Sequence, residues 1–205
     1  MLIVGLTGSI GMGKTKAANM FRTMGLPVFD SDAFVHELME TNTKVISLIR
    51  RVFPEAVNSV GINRRVLGQI VFKNRDALQN LEAILHPLVR MRQAKFLRSA
   101  KLRFSKIAVL DVPLLYESRT DEKCDIVIVM TAPRFIQKQR VMARSGMTEE
   151  RFCSILMNQL SDQEKRKRAD YVVQTGGCIH NTHTALKQII YEIKYLPSKK
   201  WCPGW

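Results

Sequence analysis

Apolar runs recur along the chain: Leu2-Ile3-Val4-Gly5-Leu6, Pro27-Val28-Phe29, Ile107-Ala108-Val109-Leu110, and Cys124-Asp125-Ile126-Val127-Ile128-Val129-Met130, the last interrupted once by Asp125. Ala169-Asp170-Tyr171-Val172-Val173 is a shorter one near the end. None alternates apolar with polar. That pattern predicts strands of a parallel sheet covered on both faces. Between them the period lengthens to that of helices. Lys16 to Phe21 reads as a first helix, stopped by Gly25. Ala33 to Met39 reads as a second, capped by Ser31 or Asp32. Residues 33–104 are mostly helical: Thr43 to Phe53 ends at Pro54, Asn63 caps Arg64 to Phe72, and Asn74 or Asp76 starts another segment. His86-Pro87 is expected to interrupt that segment with a kink or a break, because a proline removes a helical hydrogen bond and crowds the preceding turn. A new helix then runs from Pro87 to about Arg103. The tract is too long for a tight crossover, so it reads as a helical substrate-side insertion between strands two and three.

Past the fourth run, Pro133 opens a helix that carries Gln137, Arg140 and Arg144 and ends at Ser145-Gly146-Met147. Thr148 caps the next one. The charged run Asp162 to Arg168 reads mainly as a solvated helix surface. The last helix covers Thr182 to Tyr195, with Ala185, Ile189, Ile190 and Ile193 on its buried face. The sum is five short parallel strands joined by helices, an α/β chain. Its core is expected over 1–32, 105–140 and 169–196, with the insertion at 33–104, a lid region near 141–168 and a tail at 197–205.

Composition narrows this little. The 205 residues suffice for one α/β core. The start lacks the pattern of a secretory signal and no stretch has the apolar length of a membrane span, so a cytoplasmic protein is expected. Cys124, Cys153, Cys178 and Cys202 have no paired spacing and read as reduced thiols, three of them partly buried. Lys and Arg outnumber acids 32 to 18, a net charge of +14 that favours anionic partners. Ala83 to Leu110 holds no acid, but Leu85, Val89, Phe96 and Ala100 share one face. Its basic residues therefore fall on the solvent side, and no nucleic-acid partner is expected.

The chemistry enters with Gly8-Ser9-Ile10-Gly11-Met12-Gly13-Lys14-Thr15, which joins the first strand to the first helix and fits G-x-x-x-x-G-K-[ST]. Glycines let successive backbone N–H groups turn inward, and the helix start adds positive dipole. Lys14 can reach the β- and γ-phosphates of a nucleotide, and the Thr15 hydroxyl can ligate magnesium. Asp30 and Asp32 follow strand two, at the sheet edge where such folds bind ligands. At least one is expected to take part in the reaction. Asp111 ends strand three like the carboxylate that holds magnesium in nucleotide-binding folds, here expected through water. The apolar turn Val112-Pro113-Leu114-Leu115 then suggests a substrate wall.

Together these motifs resemble the dephospho-coenzyme A kinase family. The likeness rests on Gly5 to Lys14, Asp30-Ser31-Asp32, Leu85-His86-Pro87-Leu88, Asp111-Val112-Pro113-Leu114-Leu115, Arg140 with Arg144, Gln159 and Ala169-Asp170, over about residues 1–178. The resemblance implies a three-layer P-loop kinase fold with a five-stranded parallel sheet, a helical coenzyme-side region and a small lid. It implies transfer of the ATP γ-phosphoryl group to the ribose 3′-hydroxyl of dephospho-coenzyme A, with Mg²⁺; the chain is expected to be a monomer, or at most a weak oligomer. Asp32 matches the carboxylate that orients or deprotonates the attacking hydroxyl, and Arg140 the lid arginine that closes on the phosphates. ATP would be held by Gly8 to Thr15, Arg140, Arg144, Gln174 and Gly176. Arg65, His86 and Pro113-Leu114-Leu115 match the coenzyme side. The chain departs from the family pattern in Thr15 for Ser, Ser9 for Gly, and Gln174-Thr175-Gly176 for Asn-x-Gly. The rivals are another small P-loop kinase and a nucleic-acid-associated ATPase.

Overall fold

The computed structural model describes residues 1–202, apart from the side chains of residues 72 and 73. The end of the expected tail, 203–205, lies outside the described residues. The chain divides into two units, one of residues 1–29 and 96–205, the other of residues 30–95.

The first unit is built on a sheet in the order β2-β3-β1-β4-β5. The strands are β1 (Leu2–Thr7), β2 (Val28–Asp30), β3 (Ile107–Asp111), β4 (Ile126–Thr131) and β5 (Tyr171–Gln174). The β1–β3, β1–β4 and β4–β5 pairs are parallel. Every residue of β1 and β3 is buried, as their unalternating sequences require. Leu6 lies opposite Asp111, and Thr7 opposite Val129. The register thus brings the end of β3 beside the loop that leaves β1. The helices here are α1 (Lys14–Thr23), α6 (Arg134–Met142), α7 (Glu149–Met157), α8 (Asp162–Arg168) and α9 (Ile179–Ile193). Ala17, Ala18 and Phe21 from α1 and Leu186, Ile189 and Ile193 from α9 join Val4, Leu6, Val109 and Ile128 in one core. Gly25 takes a left-handed φ of 80° after α1, as a helix stop does.

Two strands start later than their apolar runs. Cys124-Asp125 and Ala169-Asp170 precede β4 and β5 rather than belonging to them. In each case an aspartate makes a two-way clip. Asp125 N–H donates to Ile3 O at 2.8 Å while its carboxylate accepts Ile3 N–H at 2.8 Å. Asp170 repeats this with Val127, at 3.1 and 2.7 Å. The carboxylate takes the place of a ladder carbonyl, so regular pairing begins after it. Asp125 also accepts from Lys199 N–H at 2.6 Å, Lys200 N–H at 2.9 Å and Ser198 at 3.3 Å, which ties down the tail.

The second unit is helical: α2 (Ser31–Thr41), α3 (Thr43–Val52), a 3₁₀ turn (Pro54–Ala56), α4 (Arg64–Lys73) and α5 (Arg75–Leu102), the last running on into the first unit. Asn42, Asn63 and Asn74 accept from N–H groups of the helices that follow them. Leu38, Val45, Ile49, Phe53, Leu67, Leu81 and Leu85 form a core of this unit's own.

Several expectations are corrected. Asp30, not Ser31 or Asp32, caps α2, accepting Ala33 N–H at 3.0 Å. His86-Pro87 does not break the helix, and α5 is continuous through it. The α6 helix stops at Met142, short of Arg144. Only Cys124 of the four thiols is buried; Cys153, Cys178 and Cys202 are exposed. Lys165, in the run read as solvated, is fully buried. The basic residues Arg90, Arg92, Lys95, Arg98, Lys101 and Arg103 are exposed, and Gln93 is the buried polar residue on their helix. It donates to Ser31 Oγ at 3.4 Å.

Candidate functional site

The loop between β1 and α1 curls through left-handed backbone at Gly11 and Gly13, with φ of 79° and 84°. Gly13 stands at the cap position of α1, so no side chain closes that helix end. The first N–H groups of α1 are left for a ligand, and the helix dipole makes that ligand an anion. Gly8 is required by close approach as well: a Cβ there would lie 2.7 Å from Met130 O.

Four side chains hold this loop from outside. Gln137 donates to Ile10 O at 2.8 Å, and Gln159 accepts Ile10 N–H at 3.2 Å. Thr175 donates to Met12 O at 2.9 Å. Arg140 reaches Gly11 O at 3.4 Å and grips Thr175 at both its hydroxyl, 3.0 Å, and its carbonyl, 2.5 Å. The carbonyls of Ile10, Gly11 and Met12 are occupied on the outer side, and of the N–H groups Ile10's goes to Gln159 and Met12's to Ser9 O at 3.1 Å. Ser9 is buried within this frame.

Lys14, the first residue of α1, places Nζ 2.5 Å from Asp111 Oδ1. The carboxylate is almost wholly buried, and it accepts a hydrogen bond from the ammonium. Thr15 is exposed beside it. A hydroxyl and a carboxylate are hard oxygen donors of the kind magnesium takes, alongside phosphate oxygens and waters. Among the described residues no group of three or more His, Cys, Asp or Glu gathers as a metal cage. The donor set fits an ion that arrives with a phosphate ligand.

The remaining expected site residues fall out differently. Gln174 ends β5 with an exposed side chain, and its carbonyl accepts from Thr182 Oγ1 at 3.3 Å. A Cβ at Gly176 would come within 2.6 Å of Pro133 Cδ, so that glycine lets the β5 loop pass the start of α6. Arg144 is exposed beyond the end of α6. Pro113 is half-buried and Leu114 is 36% exposed, whereas Leu115 is completely buried, where it would meet a Cβ at Gly5. The turn sends Leu115 into the core and leaves Pro113 and Leu114 accessible.

Asp32, Arg65 and His86 belong to the helical unit. Asp32 is exposed in the first turn of α2, two residues after the last residue of β2. Arg65 is exposed in the first turn of α4, and His86 is half-buried in α5. Sequence reasoning missed Thr175, the hub between Arg140 and Met12. Its only signal was its place between Gln174 and Gly176 at a strand end.

A family profile described as dephospho-CoA kinase matches residues 2–181. A dephospho-CoA kinase of Bartonella quintana is 42% identical over 190 residues, 93% of this chain and 97% of that one. One from Agrobacterium fabrum is 42% identical over 193 residues, 94% of this chain and 98% of the other. A crystal structure of a Thermus thermophilus protein superposes with a TM-score of 0.81 at 34% identity, covering 94% of this chain and 97% of that one.

Proposed function

The chain belongs to the dephospho-CoA kinase family, and from that premise we propose how its residues divide the transfer of the ATP γ-phosphoryl group to the 3′-hydroxyl of dephospho-CoA. The observation that carries the reading is the phosphate loop, held from outside and closed at its inner side by Lys14 and Asp111. Phosphoryl transfer asks the protein for alignment and charge neutralisation more than for covalent help.

Gly8 to Thr15 bind the ATP phosphates through backbone N–H groups. Lys14 turns from Asp111 to the β- and γ-phosphates. Arg140 holds the loop in shape through Gly11 and Thr175 and leaves Thr175 to close on the transferred group. Thr15 and Asp111, the latter through water, would hold Mg²⁺, which when bound supplies neutralisation of phosphate charge. Asp32 accepts a hydrogen bond from the attacking hydroxyl and takes its proton late. Arg65, His86, Pro113 and Leu114 receive the coenzyme precursor. Gln174 and Gly176 border the adenine with their backbone, and Arg144 serves the phosphates only if its segment moves. The same reading has a monomer in the cytoplasm, acting on small molecules rather than nucleic acid. Among the described residues no helix is long and apolar enough to cross a membrane.

The test is ADP release with ATP, Mg²⁺ and, in turn, dephospho-CoA, adenosine, shikimate and single-stranded RNA. Turnover is expected with dephospho-CoA. Stimulation by RNA alone would overturn the reading.

A further inference from the structure

Lys165 is fully buried, although it sits in the most charged run of the chain. Taking an ammonium out of water costs several kcal/mol unless ion pairing and hydrogen bonds offset it. Here Nζ pairs with Glu117 Oε1 at 3.0 Å and donates to Pro113 O at 3.0 Å. An apolar residue of the same volume would fill the space at no such cost. The use of the lysine therefore lies in what it grips.

Pro113 has no N–H, so its place in the turn after β3 rests on its carbonyl. That oxygen also accepts from Thr7 Oγ1 at 2.9 Å, which occupies both lone pairs. Thr7 is the last residue of β1, directly before Gly8. Glu117 in turn accepts Leu160 N–H at 2.7 Å, on the approach to α8. The end of β1, the turn after β3 and α8 are thus fastened at two acceptors. The turn so fixed is the one that exposes Leu114 and buries Leu115.

We propose that Lys165 is a positioning residue for the acceptor substrate: through the Pro113 carbonyl it sets the Pro113-Leu114 turn against which dephospho-CoA binds. Glu117 is the counter-ion that lets the ammonium stay buried. This rests on the kinase reading above, and it goes beyond it by giving a role to a residue that touches neither substrate.

The experiment compares wild type with Lys165→Met, Glu117→Gln and the double variant, by steady-state kinetics in each substrate and by thermal melting. Wild-type turnover of dephospho-CoA comes first; without it the kinase reading fails and takes this inference with it. Lys165→Met is expected to lose stability, because it strands the Glu117 carboxylate. The double variant should recover melting temperature, since its glutamine can still accept Leu160 N–H without a charge. In both, KM for dephospho-CoA should rise about tenfold or more, with KM for ATP within about twofold of wild type. Glu117→Gln alone leaves the buried ammonium without its counter-ion and should lower the melting temperature. Its amide oxygen can still accept from Nζ, so the Lys165–Pro113 bond is kept and the acceptor KM should stay near wild type below the melting transition. Recovery of the acceptor KM together with melting temperature in the double variant would overturn the proposal. So would a parallel rise of both KM values.

Discussion

Asp30 and Asp32 lie two residues apart and do different things. Asp30 caps α2, while Asp32 stands exposed one step into its first turn. The sequence marks both as carboxylates at a strand end and cannot separate them, because the choice depends on which residue turns extended. Asp30 does, at φ −96° and ψ 106°. Asp32→Asn keeps the helix and is expected to leave ATP affinity near wild type while lowering turnover by about 100-fold or more; isothermal binding beside kcat checks it, and near-normal turnover would reject the role. Tyr116 is a residue no pattern singled out. Its hydroxyl is buried with no partner among the described residues. Burial, with Asp121 and Asp170 adding to it, pushes the phenol up to about 12 from its ordinary 10.0. Burial likewise pushes the Cys124 thiol well above its ordinary 9.0. Both groups hold their protons longer when folded. Their contribution to stability is intact below pH 9.0 for the thiol and 10.0 for the phenol, and is lost as pH rises through the folded values. Urea midpoints of wild type and Tyr116→Phe should therefore lie close together at pH 7 and separate in favour of the variant between pH 10 and 12. The variant itself is expected to cost little at pH 7, since it deletes a hydroxyl that pairs with nothing.

At the scale of elements, strands were legible and helix limits less so. An unalternating β-branched run has few alternatives to a buried strand, so β1, β3 and β4 could be read directly. Their starts could not, because the clips at Asp125 and Asp170 are made by partners more than forty residues away. The continuous α5 is the plainest miss. Local rules break a helix at Pro87, yet Pro87 and Ala83, the residue whose carbonyl it deprives, are both exposed. Water can satisfy that carbonyl, while Leu81 and Leu85 before the proline and Leu97 and Ala100 after it bury one face. Packing on both sides outweighs the missing bond. Pro87→Ala should accordingly stabilise the chain, by up to about 3 kcal/mol, read from chemical denaturation. A loss of stability would mean that the proline ring is packed rather than tolerated. In the site, the phosphate loop and Asp111 were legible because their chemistry is local. Gln159 and Arg140 came only through the family likeness, and Thr175 and Lys165 not at all, since each works by reaching a backbone carbonyl far along the chain.

For the molecule as a whole, net charge said least. The +14 balance is spread over exposed positions such as those on α5, and the fold answers to the strand order instead. The chain leaves its sheet unit after residue 29 and returns at 96, so β2 and β3, neighbours in the sheet, are separated by a unit with a core of its own. Cys124 sits inside the sheet unit, where its sulfur would lie 2.9 Å from a Cβ at Gly5, while the other three thiols face solvent. That contrast makes the native chain its own chemical clock. With a chromogenic disulfide reagent in excess, three thiols should react at once and the fourth only as fast as the sheet comes apart. The slow phase then measures the opening rate of the nucleotide-binding half through a thiol already in the chain, and bound ATP should lengthen it. A fourth thiol as quick as the rest would mean that the sheet breathes on the timescale of turnover.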